Sequence, residues 1–380
     1  MTKGRVALFV PSLVFGGAER VAINLAEGFV AAGVPTDLVA ASGQGEFRRQ
    51  IPAGVRLIDL EAARVVYSLR AMIAYLRQER PAAVICFLDH AGILALWARR
   101  LSGASSQIIC TVHTNLTQTT GNSPNLRSRL IPMLLRRFYP WADHVVAVSH
   151  GVASGFRSAT GLPASSVQVI YNPVITEDLL ALAREVPDHP WFAPGQPPVI
   201  LGVGRLTKAK DFPTLIRAFA DVRRQRVVRL LILGEGEERA ALSSLVTELG
   251  LTEDDVAFPG FASNAMAYMA RSAVFVLSSL REGLPTVLIE ALAAGATVVS
   301  TDCPSGPREV LQDGRLGTLV PVGNWARLGE AIAGALEKPK GAVPLADLAP
   351  FTMSTSVQQY LSLVDNTDDS AVIRKTTGLQ

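Results

Sequence analysis

Short apolar runs alternate with longer amphipathic stretches along most of the chain. In the first half the strand-like runs are residues 5–10, 36–40, 82–87, 107–112 and 144–149. Helical patterns lie between them, for example AERVAINLAEGFVAAG, in which apolar positions recur at the spacing of an amphipathic helix. Runs that are apolar throughout are typical of strands covered on both faces. Their alternation with helices predicts a parallel sheet with helices on both sides.

The same rhythm begins again in the second half. Its strand-like runs are residues 199–204, 227–234, 255–260, 273–279 and 297–301. The segment before them, VPDHPWFAPGQPP, carries five prolines, which is typical of a linker. We therefore predict two doubly wound parallel-sheet α/β domains, Rossmann-like in build. The predicted parts are an N-terminal domain (1–186), a Pro-rich linker (187–197), a C-terminal domain (198–350), a final helix (351–364) and a flexible tail (365–380).

Composition agrees with a globular protein of this size and limits its compartment. The chain has 380 residues, of which 49% are apolar and 18% charged, enough for two domains with full cores. Its three cysteines are scattered, without metal-ligand spacing, and the N-terminal apolar run is interrupted by Pro11 and followed by Glu19 and Arg20. These features favour a cytoplasmic protein over a secreted one. Paired carboxylates are missing from the strand ends, so we expect no metal and no resident cofactor.

The stretch REGLPTVLIEALAAG, residues 281–295, raises a question about its two glutamates. Pro285 suits the first turn of a helix and Gly295 suits its end, and the residues between them leave no polar face apart from Glu290. A helix that is apolar all round is normally buried, and a buried carboxylate needs a partner. That partner could be an arginine or a bound polyol. The free N–H groups at the start of the helix, residues 284–287, could hold an anion.

Three further loops carry residues suited to a phosphorylated ligand. Arg205 and Lys210 follow a strand, where two cations could bind a diphosphate or could be ordinary solvated surface. Gly16 and Gly17 stand just before a helix, where they allow close approach of a phosphate or form a simple tight turn. His113 follows a strand directly and is either a site residue or a loop histidine without a role.

Residues 124–141 mix arginines with large apolar side chains. This pattern fits an interfacial helix that docks on an anionic membrane surface, although Pro132 interrupts an ideal helix. An ordinary core-facing helix with its arginines outside fits equally well. The first half of the chain carries the excess of basic residues, which favours an acidic partner such as a phospholipid face.

Together these motifs resemble the retaining glycosyltransferases of family 4, which have the GT-B architecture. The resemblance covers roughly residues 5–335 and is most specific in the second half. There GRLTKAKD, LGEGEER, REGLPTVLIEALAAG and DCPSGPREVL follow one another in the order and spacing of the family. Glu282 and Glu290 match its pair of glutamates eight positions apart. The architecture implies two domains that face each other across a cleft.

The resemblance implies a set of site residues. The catalytic residues are His113, Arg205, Lys210 and Glu282. The donor-binding residues are Gly16, Gly17, Arg205, Lys210, Phe261, Glu282, Gly283, Leu284, Pro285, Thr286 and Glu290. In this assignment Arg205 and Lys210 neutralise the donor's diphosphate, Glu290 binds the ribose, and Glu282 and His113 lie beside the transferred sugar. The glycine loop meets the diphosphate and the acceptor, and Phe261 cradles the base.

The expected function is transfer of a sugar, with retention of anomeric configuration, from a nucleotide diphosphate sugar. UDP-sugar is the expected donor, and the acceptor is lipid-linked or a saccharide in glycan, polysaccharide or glycolipid synthesis. Alternatives are a nucleotide-sugar epimerase of similar fold and a non-catalytic nucleotide-binding protein. We expect a cytoplasmic enzyme, with attachment to the inner face of the membrane through residues 124–141 as a further expectation. No nucleic-acid partner is expected.

Overall fold

The computed structural model describes residues 4–14, 16–117, 126–339 and 341–365, with the backbone alone for residues 126–129. The chain forms two compact units. The first runs to Val174 and takes in the C-terminal segment from Pro350, and the second comprises Ile175–Ala349. Each unit has its own sheet, so the predicted pair of parallel α/β domains is confirmed.

A seven-stranded parallel sheet forms the centre of the first unit as described. Its strands are β1 (Val6–Val10), β2 (Thr36–Ala40), β3 (Val55–Asp59), β4 (Ala83–Phe87), β5 (Gln107–Val112), β6 (His144–Ala147) and β7 (Val167–Val169). They lie in the order β3-β2-β1-β4-β5-β6-β7, with every pair parallel. The order reverses direction between β1 and β4, so the loops that leave these two strands diverge.

Helices cover the first sheet on both faces, as expected where strands are fully buried. They are α1 (Gly17–Ala31), α2 (Leu69–Glu79), α3 (Asp89–Ser102), α4 (Leu126–Phe138) and α5 (His150–Thr160). Short 3₁₀ helices lie at Glu46–Gln50, Val65–Ser68, Tyr139–Trp141 and Ala164–Ser166. Helix α4 runs through Pro132, which the sequence suggested would interrupt it.

The second unit is built on a six-stranded parallel sheet in the part that the structure describes. Its strands are β8 (Val199–Val203), β9 (Arg229–Leu233), β10 (Val256–Gly260), β11 (Val274–Leu277), β12 (Val298–Thr301) and β13 (Thr318–Val320). The order is β10-β9-β8-β11-β12-β13, and it reverses between β8 and β11.

Seven helices belong to the second unit as described, and one more follows it. They are α6 (Glu177–Leu182), α7 (Phe212–Arg223), α8 (Arg239–Glu248), α9 (Ala265–Arg271), α10 (Thr286–Ala293), α11 (Pro307–Val310), α12 (Trp325–Glu337) and then α13 (Met353–Asp365). Further 3₁₀ segments are Pro190–Phe192, Lys208–Lys210 and Leu345–Phe351. Helix α13 returns to the first unit, where Val357, Tyr360 and Leu361 join the core around β1 and α1.

The Pro-rich segment does not act as the predicted linker. Trp191 is buried, Arg229 stacks on its ring with 4.9 Å between the guanidinium carbon and the ring centroid, and the Tyr268 hydroxyl donates to the carbonyl of Asp188. These contacts join residues 187–197 to the second unit. The chain crosses between units earlier than predicted, at residue 174 rather than 186. The tail from residue 366 lies outside the described residues.

Candidate functional site

The carboxyl ends of β8 and β11 carry most of the charged residues singled out in the sequence. In an open parallel sheet, ligands bind where the strand order reverses, because the two departing loops leave a crevice there. In this unit the loops are residues 204–211 after β8 and 278–285 after β11. The first loop carries Arg205 and Lys210, and the second carries Glu282.

Lys210 and Glu282 form a direct ion pair, with 2.6 Å between Nζ and Oε1. Both side chains are largely buried, at 22% and 11% exposed respectively. The Ser279 hydroxyl also donates to Oε1, at 2.6 Å. The pair therefore joins one loop of the crevice to the other through a charge-assisted hydrogen bond. The sequence placed both residues at the site but did not anticipate that they are partners.

Backbone contacts hold the two loops in register. The Ser278 hydroxyl donates to the carbonyl of Lys210 at 2.8 Å, and the Leu280 N–H donates to the carbonyl of Ala209 at 2.9 Å. Arg205, in the same loop, is exposed, and no described acidic side chain pairs with it. Lys210 is thus tied to a carboxylate, whereas Arg205 is unpaired among the described residues.

The glycines of LGEGEER support this crevice rather than line it. Gly234 and Gly236 have positive φ, and a Cβ on either would collide with a backbone carbonyl, that of Gly204 or of Leu206. The Leu206 N–H donates to the carbonyl of Glu235 at 2.8 Å. These glycines are needed for the close approach of two backbones, which favours the tight-turn interpretation weighed for them.

Gly306, within DCPSGPREVL, has a comparable role. Its φ is +90°, and a Cβ there would collide with the ring of Pro285 and lie 3.2 Å from the carbonyl oxygen of Gly283. Cys303 is buried nearby. Burial raises the pKa of its thiol to about 12, and the negative charge of Glu282 adds to that shift. This segment therefore packs under the loop that enters α10.

Helix α10 begins and ends as the sequence predicts. Pro285 is its N-cap residue and Gly295, with φ +80°, follows its C-terminus. The first N–H groups that bond within the helix region are those of Leu288 and Ile289, both to the carbonyl of Pro285. The N–H groups of Leu284, Thr286 and Val287 precede this first turn of bonding. Pro285 has no N–H, so the predicted anion site over 284–287 has three donors rather than four.

Glu290 is half-buried, so the expectation of a fully buried carboxylate is wrong. It shares the partly exposed face of α10 with Thr286 and Val287, whereas Leu288, Ile289, Ala291 and Leu292 form the buried face. The error arose because the helix is apolar on both faces. Since Thr286 and Glu290 lie one turn apart on one face, the carboxylate shares its face with the first residues of the helix.

Phe261 lies apart from these residues. It follows β10, the edge strand, and is 63% exposed. Its position at the carboxyl edge of the sheet agrees with a ligand-facing residue, two strands away from the reversal between β8 and β11.

The remaining predicted residues, Gly16, Gly17 and His113, lie in the first unit. Gly16 is the N-cap of α1 in an extended conformation, and a Cβ there would collide with the carboxylate of Glu19. A Cβ on Gly17 would meet nothing within 4 Å. The loop leaves β1 at the reversal of the first sheet, the position equivalent to the crevice of the second unit.

Hydrogen bonds determine the tautomer of His113. Its Nε2 lies 2.8 Å from the Thr111 hydroxyl, and that hydroxyl donates its single proton to the carbonyl of Cys86, also at 2.8 Å. Nε2 must therefore carry a proton, which leaves Nδ1 with a lone pair. Burial lowers the pKa of His113 to about 4, so the ring is neutral near pH 7.

Asp89 is a titratable residue of the same unit that sequence analysis missed. It opens α3 directly after β4, and the Tyr139 hydroxyl donates to its Oδ1 at 3.4 Å. Burial raises the pKa of its carboxyl to about 6. The signal available in the sequence was its place at a strand end, beside His90.

Among the described residues, no group of three or more His, Cys, Asp or Glu side chains is placed to hold a metal ion. Within the same described residues, no helix is both long and apolar enough to cross a membrane.

Known proteins match the chain on both halves. The family model "Glycosyltransferase Family 4" matches residues 15–178, and "Glycosyl transferases group 1" matches residues 185–347. A Rhizobium meliloti protein named lipopolysaccharide core biosynthesis glycosyltransferase LpsE is 30% identical over 322 residues, 83% of this chain and 84% of that protein.

A Campylobacter jejuni enzyme is 32% identical over 257 residues, 67% of each chain. Its name is N-acetylgalactosamine-N,N'-diacetylbacillosaminyl-diphospho-undecaprenol 4-alpha-N-acetylgalactosaminyltransferase. Among solved structures, Anabaena HepE in complex with UDP and glucose aligns with a TM-score of 0.77 and 20% identity, covering 96% of this chain and 100% of that one. These matches agree with the resemblance drawn from the motifs, and the chain belongs to the glycosyltransferases of GT-B architecture that the two family models describe.

Proposed function

We propose that the chain transfers a sugar from a UDP-sugar to a lipid-linked or saccharide acceptor, with retention of anomeric configuration. The crevice at the reversal between β8 and β11 carries this proposal, because it holds Arg205 and Lys210 beside the start of α10. The names of the relatives, which include lipopolysaccharide core synthesis and a diphospho-undecaprenol acceptor, support this class of reaction.

The leaving group of such a reaction is a nucleoside diphosphate, on which negative charge grows as the bond to the sugar breaks. Preorganised cations and N–H groups stabilise that charge most in the transition state. Arg205 is exposed and unpaired among the described residues, so it can meet a phosphate without breaking a contact. Lys210 has two further N–H bonds to give beyond its bond to Glu282.

Besides its assigned place beside the transferred sugar, Glu282 positions the ammonium group of Lys210. The ion pair fixes the ammonium at the mouth of the crevice, and the Ser279 hydroxyl fixes the carboxylate in turn. A sugar hydroxyl that donates to Glu282 would then lie close to the cation that neutralises the phosphate. Substrate binding and charge stabilisation are thereby coupled.

Glu290 is assigned to the ribose hydroxyls. It is half-buried and lies on the same face of α10 as Thr286, one turn from the start of the helix. A carboxylate accepts two hydroxyl protons from a vicinal diol, and the N–H groups of the first turn suit the adjoining phosphate. Phe261, which is 63% exposed after the edge strand β10, is assigned to the base.

In the first unit, His113 is assigned to a hydroxyl of a bound sugar. Its Nδ1 lone pair accepts the proton of a hydroxyl, since Nε2–H is already given to Thr111. The low pKa of the ring means that it remains an acceptor near pH 7. Gly17 leaves open space at the start of α1, where a phosphate or an acceptor can approach the backbone.

In the proposed step, the bond between the anomeric carbon and the diphosphate oxygen breaks and the electron pair stays on the phosphate. The acceptor hydroxyl forms the new bond on the same face of the sugar, and its proton passes to that phosphate oxygen. The chain's cations stabilise the departing charge. This route needs neither a metal nor a side-chain base.

Helix α4 is the proposed membrane contact. Leu130, Ile131, Met133 and Leu134 are all at least 40% exposed, and Arg136 and Arg137 follow them. An exposed apolar face beside arginines is suited to an anionic bilayer surface. Residues 124 and 125, and the side chains of 126–129, lie outside the described part.

Calorimetric titration with UDP, GDP and ADP tests the donor assignment. We expect UDP to bind the wild type, and Glu290→Gln to weaken it by about 10- to 100-fold, the range for a hydrogen bond to a charged group. Glu237→Gln, an exposed substitution in the same unit, is the matched control and should bind as the wild type does.

Equal UDP affinity in wild type and Glu290→Gln would remove the ribose assignment. Incubation of the enzyme with UDP-sugar alone separates transfer from epimerisation. An epimerase would convert the sugar nucleotide without an acceptor, whereas a transferase releases UDP and requires one for efficient turnover.

A further inference from the structure

The first unit contains a cavity of about 790 Å³ at the carboxyl edge of its sheet. Ser12 and Ser42 follow β1 and β2 into its wall, and His90 contributes from the start of α3 after β4. The cavity therefore lies at the reversal of strand order, where open α/β sheets bind ligands. Its volume falls within the roughly 300–1,000 Å³ of small-molecule sites.

The walls of this cavity are largely hydrocarbon. Five separate segments line it, and their apolar side chains include Val66, Leu69, Ile93, Trp97 and Leu134. A sugar or a nucleotide would lose its hydrogen bonds to water against such walls and regain few of them. A hydrocarbon chain has no such bonds to lose, so the lining favours a lipid chain over a polar ligand.

The charge at the cavity has one sign. Among the described residues that line it, Arg64 is exposed and permanently charged, and no carboxylate is present. His90 adds a second nitrogen donor, although burial lowers its pKa and keeps it neutral near pH 7. A ligand with an apolar body and an anionic end complements this combination.

Exposed apolar side chains continue the cavity to the surface. Val66 and Tyr67, on the 3₁₀ helix Val65–Ser68, are 66% and 68% exposed. Leu134 lines the cavity and also belongs to the exposed apolar face of α4. Ser12 and Val14 also line the cavity, and they shortly precede Gly16 and Gly17 in the sequence.

We propose that this cavity holds the hydrocarbon chain of a phosphate-linked lipid acceptor, with its phosphate end at Arg64. The role of the lipid as an acceptor rests on the proposed transferase function. The binding of the lipid itself does not depend on that function. The apolar face of α4 would deliver the chain from the bilayer, and the glycine loop would meet the end that carries the reacting hydroxyl.

Titration with farnesyl diphosphate tests the proposal without any sugar nucleotide. We expect the wild type to bind it at least about tenfold more tightly than inorganic diphosphate, because the chain is buried. Val66→Asp should weaken it about tenfold or more by placing a charge against the chain, while Arg64→Ala should weaken farnesyl diphosphate but not farnesol. Val227→Asp, equally exposed at 68% but in the second unit, is the matched control.

The proposal is overturned if farnesyl diphosphate does not bind, if Val66→Asp binds it as the wild type does, or if inorganic diphosphate binds equally well. Displacement of the probe by an equimolar amount of dihexanoylphosphatidylglycerol would also overturn it, since the site would then belong to membrane lipid. UDP titration of the same variants is a separate measurement. Its failure in the wild type would count against the transferase proposal and leave the lipid result standing.

Discussion

The carboxyl edges of the two sheets have the same topology but different chemistry. In the second unit the reversal of strand order holds Lys210, Glu282 and Arg205, joined or adjacent in two interlocked loops. In the first unit the equivalent position holds an apolar cavity with one arginine, and a neutral histidine stands at the end of β5.

This difference shows how one architecture can divide two tasks. Fixed charges are effective where charge develops during a reaction, because they need no reorganisation. An apolar wall is effective where a ligand must be held without being polarised. In the proposed function, the second unit would stabilise the leaving phosphate and the first would bind a lipid chain, and each prediction below tests one side of that contrast.

The largest effect is expected from Lys210→Ala. Loss of a preorganised cation should lower kcat by about 10²- to 10³-fold, with a smaller change in UDP affinity, because its contribution grows as the leaving group departs. Arg205→Ala should show the same split. Single-turnover transfer and UDP titration measure the two quantities.

Lys208→Ala, an exposed lysine of the same loop, is the matched control. Lys210→Ala also leaves Glu282 unpaired at 11% exposure, so Lys210→Ala/Glu282→Gln should recover part of the lost stability but none of the rate. If the kcat of Lys210→Ala lay within threefold of the wild-type value, Lys210 would not stabilise the leaving group.

The next effect is on stability, and it concerns the first unit. Burial lowers the pKa of His113 to about 4. Its contribution to the free energy of unfolding is therefore present above about pH 6.5 and is lost as the pH falls towards 4. Burial raises the pKa of Asp89 to about 6. Its contribution to the free energy of unfolding is therefore present below about pH 4 and is lost as the pH rises through 6. Between pH 4 and 6 the two changes oppose each other, each amounting to about 3 kcal/mol.

We therefore expect Asp89→Asn to lose about 3 kcal/mol more than wild type in free energy of unfolding between pH 6 and 4. His113→Gln should change in the opposite direction. Urea denaturation at pH 6, 5 and 4 measures both. Parallel curves for wild type and Asp89→Asn would show that the carboxyl titrates normally.

The smallest effect is expected at the membrane face of α4. Each arginine near an anionic surface contributes about 1 kcal/mol, so Arg136→Ala/Arg137→Ala should lower vesicle binding by about 30-fold at low salt. Sedimentation with vesicles containing phosphatidylglycerol measures it, and Arg48→Ala/Arg49→Ala, also exposed in the first unit, is the control. Equal losses in both double variants would indicate only a general charge effect.

The sheets were predictable where the strands are long and apolar on both faces. Strand β3, Val55–Asp59, was missed because its residues are partly exposed and alternate with polar ones. Strands β7 and β13 have three residues each, too few for a periodic signal. The linker prediction failed because prolines indicate irregular backbone whether or not that backbone packs against a domain. Here the side chain of Trp191 is buried, so the segment packs against the second unit.

The sequence could suggest candidate site residues but not the contacts between them. Lys210 and Glu282 are 72 residues apart, and only the order of β8 and β11 in the sheet makes their loops neighbours. The burial of Glu290 was overestimated because an apolar sequence does not reveal which face of α10 remains open. The cavity of the first unit draws on segments from Pro11 to Leu134, so no single sequence motif predicts it.

Helix α13 has a consequence for synthesis of the chain. The second unit is continuous, so it can fold as soon as residue 349 has left the ribosome. The first unit begins earlier but lacks Val357, Tyr360 and Leu361 from its core until the last part of the chain emerges. The usual order, in which the N-terminal domain folds first, is therefore reversed in its final step. A nascent chain that has emerged from the ribosome only as far as residue 350 would therefore carry a finished second unit and an unfinished first one, in which the side of α1 that packs against α13 is still uncovered.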